Sequence, residues 1–247
     1  MGLVRINAKD IPYQNLNHRI RALVASGEKE IVLDNILGQR FIGDGIRGDD
    51  VTITVNGVPG GDLAMFMSGP TIIVHGNADH APGNTMDNGR VIIHGSAGDA
   101  VAHSMRGGRV YVRDNIGYRG GINMKQYLEK RPILVVGGSA RAFLGEYMAG
   151  GLVIVLGLDG VTPVSERGVG SGIHGGEIIV RGSIDTTCLG VGAEQKKITN
   201  NQKEAIRPIL EDFARAFTID PEPVLAADYS RIIPASTRPF ANKYTWE

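Results

Sequence analysis

Short apolar segments recur at regular intervals along the middle of the chain, and each is closed by a glycine or an aspartate. Methionines keep the same interval: Met67, Met86, Met105 and Met124 are each 19 residues apart, and Met148 follows after 24. The matching apolar segments are residues 72–76, 91–95, 110–114, 153–157 and 178–182. The chain is therefore predicted to consist of a 19-residue repeat with two longer copies, one near 125–130 and one within 159–172.

A repeat of this length with one β-branched segment is too short for a pair of helices. It fits one turn of a parallel β-helix, an all-β solenoid in which successive coils stack about 4.8 Å apart. We predict about seven to eight coils. Their last residues are Gly57, Gly76, Gly95, Asp114, Gly138, Gly157 and Gly182, with a degenerate first coil ending at Gly38.

Two rows of aliphatic residues are predicted to fill the interior, because alternate residues of a strand share one face. The first row is Ile53, Ile72, Val91, Val110, Leu134, Val153 and Ile178. The second row is Val55, Val74, Ile93, Val112, Val136, Val155 and Val180. We expect the methionines to line the same interior, because a thioether adapts to irregular gaps. A methionine box that holds a cofactor is the alternative.

The row between these two should face outward, yet it is almost entirely apolar. We call it the outer row: Ile73, Ile92, Tyr111, Val135, Ile154 and Ile179. A continuous apolar stripe is usually covered by something. We predict it as a partner interface, with cover by the chain's own terminal helix as the alternative.

The two ends differ from the repeats. Residues 15–26 and 201–217 have apolar positions at helical spacing, the second segment broken or bent around Pro208. Helices laid across the open ends of a β-helix would block further strand pairing, so we interpret both as caps. The predicted organisation is an N-terminal segment with a capping helix (1–29), a parallel β-helix (30–192) and a C-terminal helix and tail (193–247), with the tail from 220 packing alongside.

Composition and charge narrow the classes of function. Lys+Arg and Asp+Glu each total 26 in 247 residues, which removes the basic excess that nucleic-acid binding draws on. Cys188 is the one cysteine, so no internal disulfide is predicted. No apolar run is long enough to span a membrane, and the predicted location is the cytoplasm. Glycine is in excess, and 33 of its 35 copies lie between Gly38 and Gly192.

Few residues suggest chemistry. His75 and His94 share one coil position, but no acidic residue joins their row, so an exposed polar stripe is favoured over a metal site. Asp79, His80, His103, Ser104 and His174 fall in predicted turns without a triad or paired-carboxylate pattern.

Two further motifs are interpreted as structural. Cys188 has no nearby basic residue to activate it and is predicted to be a buried structural thiol. The run at 168–172 (GVGSG) has phosphate-loop spacing without a strand-loop-helix pattern around it. We therefore predict no catalytic, cofactor-binding or metal-ligating residue in this chain.

Several repeat copies resemble a known family. Residues 107–112 (GGRVYV) and 146–157 (EYMAGGLVIVLG) resemble the glycine-rich (GXGXG) repeat domain at the C-terminus of the large subunit of glutamate synthase. Residues 17–21 and 38–43 are similar to the segment that leads into that domain. The same repeats resemble the β-helix subunit of formylmethanofuran dehydrogenase. The similarity runs from about residue 15 to 182, and the chain beyond residue 196 matches only loosely.

The resemblance implies a right-handed parallel β-helix that is itself non-catalytic. It implies a structural subunit of a split glutamate synthase, which makes glutamate from glutamine and 2-oxoglutarate. The chain would hold a glutaminase (class-II amidotransferase) subunit and an FMN and iron–sulfur subunit in register, with no cofactor of its own. The alternatives are a subunit of a formylmethanofuran dehydrogenase-like complex and an independent β-helix enzyme. A homo-oligomer is left open as well.

Overall fold

The computed structural model describes residues 2–236, apart from the side chain of Asp159. It is built around one sheet of eleven strands with the order β1-β2-β3-β4-β5-β6-β7-β8-β9-β11-β10. The strands are β1 (Val4–Asn7), β2 (Glu30–Leu37), β3 (Thr52–Val58), β4 (Ser68–His75), β5 (Asn88–Ile93), β6 (Arg109–Val112), β7 (Ile133–Val136), β8 (Ala149–Val155), β9 (Gly175–Arg181), β10 (Ala193–Lys197) and β11 (Tyr229–Pro234). The α-helices are α1 (Tyr13–Ala25), α2 (Asn200–Phe217) and α3 (Glu222–Leu225).

The strands β1 to β9 pair in parallel in chain order, one strand for each coil, which confirms the predicted parallel β-helix. The register matches the predicted rows: Ile53 pairs with Ile72, Ile72 with Val91, and Val91 with Val110. Every residue of both inward rows is fully buried, and so are the five methionines from Met67 to Met148. The interior is therefore filled by aliphatic and thioether side chains from every coil.

On a second face of the solenoid, neighbouring coils pair through one residue each and not through a strand. Ala78, Ala97, Ile116, Ala140 and Val164 pair in parallel, each with its equivalent in the next coil. These residues are small or aliphatic and nearly inaccessible to solvent. They close the core opposite the main sheet.

The third face has an unusual backbone, which we call the left-handed ladder. Three alternate residues of each coil have positive φ, as at Phe143, Gly145 and Tyr147 (62°, 66° and 55°). The triplets start at residues 41, 62, 81, 100, 119, 143 and 168. The middle residue faces the core, because a Cβ on Gly145 would lie 2.5 Å from Cδ1 of Ile178. Only glycine or alanine occupies that middle position.

The two ends of the solenoid are closed differently. At the N-terminal end, α1 follows β1 in the chain and buries Leu16 and Ile20 in the core. Asn17 Nδ2 donates to the carbonyl of Arg40 at 2.8 Å and fixes the helix to the next coil.

The C-terminal end departs from the prediction of a helical cap. There β11 inserts antiparallel between β9 and β10, and Ile232 fills the end of the core. The predicted tail beyond residue 236 lies outside the described residues.

Helix α2 lies along the outside of the sheet instead of across its end. A capping box between Thr199 and Gln202 starts it, and a left-handed residue, Thr218, ends it. Of the two outcomes predicted at Pro208, a break or a bend, the structure excludes the break, because the helix continues through the proline. We attribute this to its continuous buried face, whose burial outweighs the hydrogen bond that proline removes.

Candidate functional site

The outer row, predicted as a partner interface, is covered by the chain itself. Tyr111, Val135 and Ile154 are completely buried, and Ile92 and Ile179 are at most 7% exposed. These residues form one cluster with the apolar face of α2: Ile206, Ile209, Leu210, Phe213 and Phe217. Ile73, where the cover ends, is half-buried. The structure thus corrects the partner interpretation in favour of the alternative, cover by the terminal helix.

Aromatic and charged contacts fix α2 to the sheet. The rings of Tyr111 and Phe213 meet edge to face, with centroids 5.6 Å apart. The carboxylate of Asp212 accepts hydrogen bonds from Arg90 Nη2 at 2.9 Å, Arg109 Nη1 at 2.7 Å and the Tyr111 hydroxyl at 2.9 Å. We call Asp212, Arg90, Arg109 and Tyr111 the Asp212 clamp.

Burial and charge oppose each other in the Asp212 clamp. Burial disfavours the ionised carboxylate, but the Tyr111 hydrogen bond and the two guanidinium groups outweigh it and lower the pKa of Asp212. Burial, reinforced by the bond to Asp212, raises the pKa of Tyr111 to about 12. The clamp is therefore an anion held between fixed donors, with the phenol protonated at neutral pH. Because all three hydrogen bonds join α2 to the sheet, we interpret this arrangement as structural.

His75 and His94 stack with ring centroids 4.9 Å apart, as their shared coil position predicts. His75 is exposed, whereas His94 is half-buried with its ring edge-on to Phe217 of α2 at 5.1 Å. Burial, together with the charges of His75 and Arg113, lowers the pKa of His94. His75 and His94 therefore lie at the edge of the contact between α2 and the sheet.

Three of the other histidines lie between strands, and two of these contact a neighbouring coil. His80 Nδ1 accepts the backbone N–H of Asp99 at 2.8 Å, and His103 Nδ1 lies 3.2 Å from the Asn84 side-chain oxygen. His174 Nδ1 lies 3.0 Å from the carbonyl of Gly172. Within residues 2–236, no histidine is hydrogen-bonded to a serine, threonine or cysteine side chain.

Cys188 is half-buried, not fully buried as predicted, because it lies in a short 3₁₀ turn where the solenoid ends (Thr186–Cys188). Between residues 2 and 236 no three His, Cys, Asp or Glu side chains lie close enough to share a metal ion. No helix in the same part of the chain is both long and apolar enough to cross a membrane.

The glycine run at 168–172 belongs to the left-handed ladder. Gly168, Gly170 and Gly172 have φ of 83°, 66° and 67° and occupy the same three positions as residues 143, 145 and 147 one coil earlier. Strand β9 follows the run, so a helix N-terminus that could hold a phosphate is missing from this place. The spacing is thus a consequence of the solenoid backbone.

A family model described as the GXGXG motif matches residues 15–238 of this chain. The chain belongs to the GXGXG family. This confirms the predicted membership of the glycine-rich repeat family, and the ladder accounts for the alternate glycines of the motif.

Two comparisons extend the family match. An uncharacterized protein of Methanocaldococcus jannaschii is 55% identical over 255 residues, covering 99% of this chain and 97% of that protein. A solved chain in the formyltransferase/hydrolase complex of Methylorubrum extorquens, in complex with methylofuran, is similar with a TM-score of 0.65. That match covers 94% of this chain and 96% of the other at 18% identity, which shows a shared fold.

The sequence did not reveal two features of this GXGXG chain. One is the Asp212 clamp, because Asp212 is more than 100 positions along the chain from its three partners, Arg90, Arg109 and Tyr111. The sequence contained one signal for the clamp, because Arg90 and Arg109 lie one repeat apart and beside the outer row. The other is the ordered loop at 125–130, which the sequence marks only as a break in the period.

Proposed function

We propose that this chain is a non-catalytic assembly subunit of a multisubunit enzyme complex. The observation that carries the proposal is the extent of the structural likeness. It covers 94% of this chain and 96% of one chain of a formyltransferase/hydrolase complex. Because that neighbour is part of a multisubunit enzyme, a likeness over nearly all of the solenoid favours an assembly role for this chain as well.

The composition of the solenoid supports a structural role. Its interior is filled by aliphatic and methionine side chains, and His80 and His174 bond to backbone groups between the strands. A stack of nine parallel strands spans roughly 40 Å at about 4.8 Å per strand. A rigid body of that length suits a subunit that holds two others at a fixed separation.

Two kinds of complex are candidates. The structural neighbour favours a complex that processes formyl groups, and the resemblance of the repeats to the β-helix subunit of formylmethanofuran dehydrogenase points the same way. The resemblance of residues 107–112 and 146–157 to the glutamate synthase repeat domain favours a split glutamate synthase as the second candidate. In that case the FMN, the iron–sulfur cluster and the glutaminase activity would belong to partner subunits.

Purification of the affinity-tagged full chain from its own host tests this proposal. We expect stoichiometric partner subunits, and activity in the complex but not in the chain alone. A formyl-processing partner would identify the first candidate, including a molybdenum- or tungsten-containing subunit if the complex is like formylmethanofuran dehydrogenase. An FMN protein with a class-II glutaminase would identify the second. A chain that carries flavin and is active when purified alone, or that has no partner in the host, would contradict the proposal.

A further inference from the structure

The loop at 125–130, which we call the basic loop, interrupts the 19-residue period with an ordered turn. The backbone N–H of Tyr127 donates to the carbonyl of Lys130 at 3.2 Å, and the N–H of Lys130 returns a bond at 3.0 Å. Gln126 Nε2 also donates to the carbonyl of Leu128 at 3.3 Å. The inserted residues therefore form a two-residue hairpin turn.

The tip of the basic loop exposes apolar side chains. Tyr127 is 64% and Leu128 75% exposed, among the highest values for large apolar residues in the described chain. Leu128 also has φ of 52°, the left-handed conformation that a two-residue hairpin turn requires at its first central position. The turn therefore holds the apolar tip in a defined conformation.

Beside this tip lies a cavity of about 340 Å³ lined by Asp87, Arg106, Lys125, Tyr127 and Lys130. Three of these five residues are cationic and one is anionic. Lys130 Nζ bonds to Asp87 at 2.6 Å, which neutralises that pair. Arg106 and Lys125 have no acidic partner among residues 2–236. The cavity therefore keeps two uncompensated positive charges.

The two uncompensated cations are held side by side by the solenoid. Lys125 N–H donates to the carbonyl of Met105 at 3.0 Å, so Lys125 lies one coil beyond Arg106. The loop itself is tied at its far end, where Arg131 Nη2 bonds to Glu177 at 2.8 Å. A preordered surface loses little entropy on binding.

We propose that the basic loop and its cavity form the docking surface for an acidic segment of a partner subunit. Carboxylates of that segment would pair with Arg106 and Lys125, while an adjoining apolar residue covers Tyr127 and Leu128. Apolar anchors flanked by complementary charge are the usual composition of a specific interface. The inference rests on the proposed function and adds the place and chemistry of one contact.

Charge reversal tests whether Arg106 and Lys125 contribute to partner binding. We expect Arg106→Glu with Lys125→Glu to weaken partner binding at least tenfold, measured on complexes reconstituted from the purified partner. The conservative pair Arg106→Lys with Lys125→Arg should bind within threefold of the wild type. Lys9→Glu with Arg19→Glu, at two exposed cations near the N-terminal end, is the control for the same change of net charge and should leave affinity unchanged. Leu128→Ala should also weaken binding.

A carbodiimide, which joins amines to carboxylates without a spacer, tests the contact itself. We expect cross-links from Lys125 to Asp or Glu of the partner, identified by mass spectrometry. A complex whose affinity is insensitive to charge reversal, or cross-links from Lys125 only to this chain's Glu129, would overturn the inference.

A third experiment tests whether inorganic phosphate binds in the cavity. If it protects Lys125 from acylation while charge reversal leaves the complex intact, the cavity is a small-anion site and the docking proposal is wrong. Absence of any partner for the wild type would overturn the proposed function, and this inference with it. An intact complex that ignores the reversal overturns the inference alone.

Discussion

Asp212 joins α2 to the sheet through one carboxylate that meets two guanidinium groups and a phenol. Its side chain is 14% exposed, whereas those of Arg90 and Arg109 are 30% and 44% exposed, so removal of its charge leaves two partly solvated guanidinium groups without their carboxylate. We expect Asp212→Asn to lower the free energy of unfolding by about 2–3 kcal/mol, measured by denaturant titration at pH 7.

The comparison for this variant is Glu204→Gln, which breaks an ion pair with Arg207 on the solvent side of the same helix and should leave stability unchanged. The pH dependence has a definite sign. Because the folded state lowers the pKa of Asp212, its stabilisation is complete above the unfolded value of about 4 and is lost as pH falls through the folded value. Equal stability of Asp212→Asn and wild type would contradict the clamp.

His94 gives a second pH dependence, in a higher range. Burial and the charges of His75 and Arg113 lower its pKa, so the folded state binds this proton less readily than the unfolded chain. Stability should therefore fall as pH decreases from about 6.5 toward the folded pKa. We expect His94→Gln to flatten this slope between pH 7.5 and 5.5 in denaturant titrations. An unchanged slope in the variant would assign the dependence to other groups.

At the scale of elements, the contact between α2 and the sheet replaces the predicted partner interface. Ile154 is completely buried beneath the helix, whereas Ile73 in the same row is half-buried at its margin. We expect Ile154→Asp to destabilise the isolated chain by more than about 4 kcal/mol, because a carboxylate there has no partner. Ile73→Asp should cost clearly less. Both are read by thermal unfolding monitored by circular dichroism, and a fully stable Ile154→Asp chain would mean that α2 covers the row only loosely.

The left-handed ladder restricts its middle positions to very small residues. At Gly145 an alanine would meet both positive φ and a Cβ 2.5 Å from Ile178 Cδ1, so we expect Gly145→Ala to cost about 2–4 kcal/mol. Gly38 has φ of 80° but nothing within 4 Å of the added atom. Gly38→Ala should therefore cost only the backbone term, about 1 kcal/mol. The difference between the denaturant midpoints of the two variants separates the cost of the clash from the cost of the backbone conformation. Equal midpoints would show that packing at the ladder is not tight.

At the scale of the whole molecule, the solenoid must end without inviting further strands. Strand β11 completes the edge of β9 and turns the sheet antiparallel, and β10 beyond it carries Glu194, Lys196 and Lys197. Charged residues on an edge strand discourage pairing between molecules. The end of the core and the edge of the sheet are thus closed by the same two strands.

Truncation tests this closure. A chain ending after residue 226 lacks β11 and exposes the β9 edge, so we expect concentration-dependent association in sedimentation velocity experiments. A chain ending after residue 236 keeps β11 and should sediment as the full chain does. Indistinguishable behaviour of the two truncations would show that β11 does not protect the edge.

Much of the architecture followed from periodicity. The spacing of Met67, Met86 and Met105, with the aliphatic rows beside them, determined the coil length, the parallel pairing and the buried side chains. These are local properties, because a repeated strand has one inward face and its neighbour must match it. The amphipathic pattern of residues 201–217 likewise identified α2 nearly to the residue.

Where α2 packs depended on the tertiary structure. The outer row and the helix were both visible as apolar surfaces, but their pairing joins residues such as Tyr111 and Phe213 that are about a hundred positions apart. The repeat relates residues of neighbouring coils and gives no information on contacts between residues so far apart in the sequence. The same holds for the insertion of β11 between β9 and β10, since antiparallel closure reverses the direction that every preceding coil follows. Periodicity determines the contacts between adjacent coils. Three-dimensional packing decides which face of the solenoid each terminal segment covers.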